Sequence, residues 1–453
     1  MQRWKVSQLC FLVDGFRQSG FVVTLSAVLR SGIAISSRSR QSHLTKAHDI
    51  NILDYRNVRA VKSINRDPCQ DQSHQEKKKL NAVVLYGSPM SLYTGRARSY
   101  LIKTGVPYRE VPHASPHFYK TVLPKAGGRR GIPTLEFPDG NVIRDGVAII
   151  DHFENLNGHQ HAPKTPKQNI VSLLLDVIAA EGLLRPCMYY RWNQDQDNLD
   201  FLRFHFQTIY RDKPDPVKDA EDRMKLIRET VNPAWGVTPE THDFIEKQHL
   251  SLLKRLNNHF SIYPYFLGSK PCIGDFGMMA PLYGHLGRDP KPLSLMQKHA
   301  VRAFRWVERM NRPEPDMGEF DFQEEAFLDN DEIPETLVEL LRHFAVDFVP
   351  ETQAASSRIS EWLAENPDLQ PGTEAERAVG ASCEFELDGI TISTVAQPFR
   401  FYLLKRVQDA YESLAEGDKK QVYDMLSSCD MEKVLDFKIS RAIGRKNNLE
   451  VWL

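Results

Sequence analysis

Short apolar runs alternate with helical stripes between residues 82 and 156, and a purely helical period replaces them from residue 169 onward. Ala82 to Tyr86 is an apolar run of strand length. From Ser91, the residues Tyr93, Ala97, Tyr100 and Leu101 share one helical face, which Gly105 ends with Pro107 beyond it. Tyr108 to Val111 predicts a second strand. A loop with Pro112, Pro116, Pro124 and the Gly127-Gly128 pair has room for a short helix over Phe118 to Leu123. Thr134 to Phe137 and Asn141 to Arg144 read as two strands around Asp139-Gly140, a pair that favours a tight two-residue turn. Asp145 suits the cap of a helix with an apolar face of Ile149, Ile150, Phe153 and Leu156, ended by Asn157-Gly158. The order is β-α-β-α-β-β-α.

Gln160 to Gln168, with Pro163 and Pro166 among polar residues, reads as a linker. Beyond it the stripes Ile170-Leu173-Leu174-Val177-Ile178, Ile245-Leu252-Leu253-Leu256, Phe276-Met279-Ala280-Tyr283 and Val301-Phe304-Val307 predict a helix bundle, with a break at Pro186. Pro313 to Glu335 is acidic and reads as a solvated connection. Helical patterning returns from Glu335 to about Leu363. A hairpin around Asp388-Gly389, helices near Arg400 to Leu414 and Lys419 to Ser427, and a last strand are expected after it. The expected division is 1–79, an extension; 80–160, an α/β domain; 161–346, an all-helical domain; and 347–453, a mixed α+β extension.

Composition narrows the function classes. The chain has 453 residues, 41% hydrophobic and 26% charged, with a formal net charge of −1, so no overall field draws it to nucleic acid or an acidic membrane. No window has the roughly 18 uninterrupted apolar residues of a membrane helix, Arg30 breaking the nearest one, Phe21 to Ser36. The first 40 residues carry Arg3, Arg17, Arg30, Arg38 and Arg40 against one acid, Asp14. That fits a mitochondrial targeting segment, the alternatives being a disordered tail or a start placed too far upstream. Cys10, Cys69, Cys187, Cys272, Cys383 and Cys429 lie far apart, which suits free thiols in a reducing, cytoplasmic compartment and argues against a zinc ribbon. His152, His159 and His161 lack a fourth ligand at metal-site spacing, so no metal is expected. The phosphate-cradling glycine loops of nucleotide enzymes are missing too.

The run Gly131-Ile132-Pro133-Thr134-Leu135, set in the element order above, resembles the thioredoxin-like amino-terminal domain of glutathione S-transferases, and the bundle resembles their all-helical carboxy-terminal domain. The resemblance covers about residues 80 to 345 and implies a cis Pro133 that leaves the Ile132 backbone free to pair with a peptide ligand. It also implies glutathione as co-substrate, a homodimer, and a hydroxyl between the first strand and helix that hydrogen-bonds the glutathione sulfur. Ser91 occupies that position, where a donor and a helix start both favour thiolate. Its other reading is a plain helix cap, with Tyr86, Ser88, Tyr93 and Thr94 near enough to replace it. The family's Glu/Gln-Ser before the last helix of this domain is Asp145-Gly146 here, which keeps the acid and a backbone N–H but loses the hydroxyl. Arg129 and Arg130 are candidates to pair a substrate carboxylate. Tyr189, Tyr190 and Trp192 either line the pocket for an apolar co-substrate or belong to the core. At the family's helix cap in the bundle, Cys272 replaces Ser or Thr ahead of Asp275, which halves the reciprocal capping box. The implied function is activation of the glutathione thiol for attack on a small electrophile; the alternative is a binding or assembly protein of the same fold without catalysis.

Overall fold

The computed structural model describes residues 82–314, 318–321, 324–375 and 382–453, and the expected extension over 1–79 lies outside them. The thioredoxin-like domain opens with β1 (Val83–Gly87), α1 (Leu92–Lys103) and β2 (Tyr108–Pro112). A π-type turn, Phe118–Val122, runs into a single α turn, Leu123–Lys125, before β3 (Thr134–Glu136), β4 (Val142–Arg144) and α2 (Gly146–Leu156). The sheet order is β2-β1-β3-β4. β1 pairs parallel with β2 and antiparallel with β3, opposing Leu85 to Leu135. Apolar alternation decides which face is covered: Val83 and Leu85 join Ala97, Leu101, Ile149 and Ile150 in the main core. Tyr86 turns to the other face, against Phe118 and Val122.

The β3–β4 turn is longer than the two-residue form expected. Gly140 N–H donates to Phe137 C=O at 2.9 Å and Phe137 N–H to Asn141 C=O at 2.9 Å, which makes a three-residue loop, Pro138-Asp139-Gly140. Proline suits the first central position of a type I turn, and the left-handed position that follows falls to Gly140, φ +79°.

The bundle starts at α3 (Pro166–Val177), one turn earlier than the linker reading placed it, because Pro166 suits a first helical position. A π-type turn (Ile178–Gly182) and α4 (Leu184–Trp192) follow, with the expected break falling just ahead of Pro186. Then come α5 (Asp195–Ile209), α6 (Pro216–Leu226), α7 (His242–His259), α8 (Ile273–Gly284), α9 (Pro290–His299) and α10 (Val301–Met310). Two residues assigned to core stripes are exposed, Leu156 at 69% and Val301 at 54%; each sits at the end of its helix, where the stripe leaves the packed face. At Cys272 both halves of the capping box are present, against the expected half: the Cys272 side chain accepts from the Asp275 N–H, and the Asp275 carboxylate accepts the Cys272 N–H at 2.9 Å.

The acidic segment is docked at its end rather than solvated throughout. Asp331 accepts from the N–H groups of Lys167 and Gln168 at 2.8 and 2.9 Å, so it caps α3 from a distance in sequence that no local pattern reveals. The helix α11 (Glu335–Glu365) runs unbroken through Pro350, so the boundary expected at residue 346 falls inside a helix. The hairpin β5 (Ser382–Leu387) and β6 (Ile390–Val395), α12 (Pro398–Glu412), α13 (Glu416–Ser427) and the hairpin β7 (Ile443–Lys446) and β8 (Leu449–Trp452) complete the chain. The described residues form one compact unit.

Buried charge ties the last hundred residues to the rest. Arg400 donates to Thr352 Oγ1 at 2.8 Å and to the Glu181 carbonyl at 3.0 Å, and pairs with Glu351 at 3.2 Å. The Asn448 amide serves the edge of β4: it accepts the Arg144 N–H at 3.2 Å and donates to the Val142 carbonyl at 2.9 Å, as a neighbouring strand would. Arg144 reaches back to Glu450 at 2.6 Å.

Candidate functional site

Three local structures expected to meet are in place on the thioredoxin-like domain. The Ile132–Pro133 peptide is cis, and among the described residues no hydrogen bond engages the Ile132 N–H or C=O. Pro133 itself is buried and starts the path into β3. Its carbonyl accepts the Asp145 N–H at 2.9 Å, which ties the proline turn to the start of α2. Asp145 holds φ +82° and its carboxylate accepts the Val147 N–H at 3.2 Å, so it is the cap it was expected to be.

Ser91 caps α1, its Oγ accepting the Thr94 N–H at 3.3 Å. It remains half-buried, and the first turn of α1 contains no acidic residue to offset the positive helix end. The cap and activation readings are compatible: an oxygen that accepts one hydrogen bond still has a proton to donate, and accepting strengthens the donation. The alternatives are placed differently. Tyr86 donates to Glu136 at 2.7 Å on the opposite face of the sheet, and burial with the Glu136 carboxylate pushes its phenol far up. Tyr93 donates to the Ala180 carbonyl at 3.2 Å, and Ser88 and Thr94 are buried.

Two arginines that no local pattern singled out grip the Ser91 loop. Arg98 donates to the Ser88 carbonyl at 3.2 Å, held by Glu110 at 2.6 Å. Arg191, paired with Asp289 at 2.6 Å, donates to the Met90 carbonyl at 2.9 Å and the Gly284 carbonyl at 3.0 Å. A third, Arg96, decides Gly146. A β-carbon there would lie 2.9 Å from Arg96 Cγ and Cδ, so the serine of the family pattern has no room. Arg96 is held over Gly146 by an ion pair to Asp176 on α3, and Asp176 also lies 3.6 Å from Arg406 on α12, which pairs with Asp151 at 2.7 Å. Burial pushes both carboxyls up, and the guanidiniums pull them back.

The remaining candidates have partners of their own. Arg129 is paired with Glu374 at 3.1 Å and Glu450 at 3.6 Å. Arg130 is exposed and lies over the Tyr119 ring at 5.1 Å. Tyr189, Tyr190 and Trp192 are buried in the bundle: Tyr189 donates to Glu246, Tyr190 faces the His249 ring at 4.6 Å, and Trp192 packs on Phe206 at 5.8 Å. His161 is likewise structural, its Nδ1 2.7 Å from Glu154. Among the described residues no His, Cys, Asp and Glu are grouped to hold a metal, no helix is long and apolar enough to cross a membrane, and Cys187, Cys272, Cys383 and Cys429 are free.

A four-stranded sheet with this helix order and a cis-proline before β3 is a thioredoxin-like domain. Residues 85–161 match the family described as glutathione S-transferase, N-terminal domain. Among solved structures, the chain is similar to Gtt2 from Saccharomyces cerevisiae, at 18% identity over 50% of this chain and 95% of that one, TM-score 0.29. A glutathione transferase family member from Pseudomonas fluorescens, solved with two glutathione bound, is 14% identical over 52% and 90%, TM-score 0.31. FzlA from C. crescentus is 16% identical over 51% and 89%, TM-score 0.28. No curated protein matches the chain.

Proposed function

We propose that the protein binds glutathione on the thioredoxin-like domain and activates its thiol for transfer to a small electrophile. The observation that carries this reading is Ser91: a half-buried hydroxyl at an unopposed helix start, with its proton free, in the same domain as the unpaired Ile132 backbone. Glutathione, when bound, supplies a thiol that attacks an electrophilic carbon as the thiolate. The chain's part is to orient and to hold charge. Ile132 offers an N–H and a C=O to an extended peptide, Gly146 offers a helix-start N–H to a carboxylate, and Ser91 donates to the sulfur, which favours loss of its proton near neutral pH. Arg98 and Arg191 keep the Ser91 loop in position.

One observation favours the second reading, a glutathione transferase fold that binds without catalysis. The Arg96 stem fills the space of the missing hydroxyl, which weakens the grip on the γ-glutamyl end. Calorimetric titration with glutathione, together with turnover of a chloronitroarene, separates the two. The enzyme reading expects saturable binding in the wild type and at least a tenfold fall in turnover for Ser91→Ala with affinity little changed. Binding with equal turnover in both proteins supports the second reading. No binding at millimolar glutathione removes the enzyme reading and leaves a binding or assembly role that does not use glutathione.

A further inference from the structure

A cleft of about 40 Å³ lies where the π-type turn and α4 face α7 and α11, and no residue of the thioredoxin-like domain lines it. Its walls are apolar, with Ile178, Leu183, Phe244, Leu252, Phe344 and Phe348 among them. Half-buried Gln248 and His343 also line it, marking the side nearest solvent. One wall is different in kind. His249 is only 2% exposed, and neither Nδ1 nor Nε2 has a hydrogen-bond partner. Buried polar atoms are nearly always satisfied, and leaving them unpaired is unfavourable, so the group waits for a partner that the fold does not contain. Desolvation holds its pKa down at about 3, so the imidazole is neutral and presents one donor and one acceptor. The charge also lining the cleft is compensated: Asp347 pairs with Arg185 at 2.5 Å.

We propose that this cleft is a binding site for a small neutral molecule, a short aliphatic body carrying one hydroxyl or carbonyl, which His249 receives. Size sets the class: a water needs roughly 10–15 Å³ by a comparable measure, so the cleft takes about three or four non-hydrogen atoms. Neutrality follows from the lining, because Arg185 is already paired with Asp347 and Glu351 and leaves an added charge no free counter-ion. The site faces away from the Ser91 centre. Ala180, which contacts Tyr93, lies on the opposite side of its helix from Ile178 and Gly182 by helical spacing. It therefore stands or falls independently of glutathione binding.

Saturation-transfer NMR on the full chain, with 1-propanol as the probe and propionate as its charged counterpart, tests the proposal. The expected result is saturable 1-propanol binding with half-saturation in the millimolar range, and propionate weaker by at least tenfold. His249→Leu should weaken 1-propanol at least tenfold, and Leu252→Phe, which fills the cleft, should abolish saturation, with thermal melts confirming that both variants fold. Should either variant fail to fold, Ile245→Phe fills the same space from the next turn of α7. A 1-propanol signal that rises linearly without saturating overturns the site and leaves His249 to ordered water. Equal binding by His249→Leu overturns the role of the imidazole, and equal binding of propionate overturns the neutral class.

Discussion

The starts of α1 and α2 are neighbours in the candidate site, yet one is open and the other is roofed. At α1, Ser91 holds its own cap and stays half-buried, its hydroxyl proton free. At α2, Asp145 makes an equivalent cap, but the Arg96 stem lies over Gly146, clamped by Asp176, which Arg406 approaches from the last hundred residues. The two ends carry the same backbone dipole, so the difference lies in what packs on them. A helix start becomes a ligand site only where side chains from elsewhere leave it uncovered.

Breaking the clamp should have the largest effect. Asp176→Asn removes the carboxylate between Arg96 and Arg406, and loss of one partner from a buried ion pair costs about 3–5 kcal/mol. Urea denaturation measures it; a change below about 1 kcal/mol would mean that the clamp contributes little to holding the roof in place.

Acid probes the same comparison from the bundle side. Burial holds His249 at about 3 and His259 at about 4, below their ordinary 6.5. A base with a depressed folded pKa stabilises the native state above its unfolded pKa, and that stability is lost as pH falls through the folded one. Stability should therefore fall from pH 6.5 toward 4, by about 1.4 kcal/mol per unit for each histidine. Asp275, raised to about 6 by burial, works in the opposite direction, its contribution being complete below its unfolded pKa of 3.8 and lost as pH rises through 6. His259→Gln should reduce the slope of stability against pH by up to one proton; an unchanged slope would place the acid limit on other groups.

Gly146→Ser tests the roof itself. The added atoms meet Arg96 and should destabilise the protein by about 1–3 kcal/mol. In an Arg96→Ala background the same change should be nearly neutral, and there it should strengthen glutathione binding if the hydroxyl is what the site lacks. Equal costs in both backgrounds would show that Arg96 does not exclude the serine. Ser91→Ala is the smallest change, about 1 kcal/mol for the lost cap by thermal melt, against a much larger loss of turnover.

The thioredoxin-like domain was readable because its signals are local. Alternation, the Pro138 to Gly140 turn residues, the Asp145 cap and the Gly131 to Leu135 run each act within a few residues, and even the misread turn length was wrong by one residue. The same holds for Ser91, whose place in the α1 cap needs only its own neighbours. The helices were readable in both domains but not at their ends: Leu156 at the end of α2 and Val301 at the start of α10 in the bundle fit the period and leave the core, since period says nothing of where the packed face stops.

Chain chemistry alone therefore settled the element order and the helix caps at Ser91 and Asp145, which depend on short-range sterics and hydrogen bonds, while the fold class and the cis Pro133 were expected through the family resemblance of the Gly131 to Leu135 run. Tertiary packing decided the rest. It placed Tyr189, Tyr190 and Trp192 in the core, drew Arg129 to Glu374 and Glu450, joined Asn448 to the edge of β4 and carried Arg96 over Gly146. Those contacts span tens to hundreds of residues, and a charged or aromatic side chain in sequence does not declare which partner the fold will bring to it.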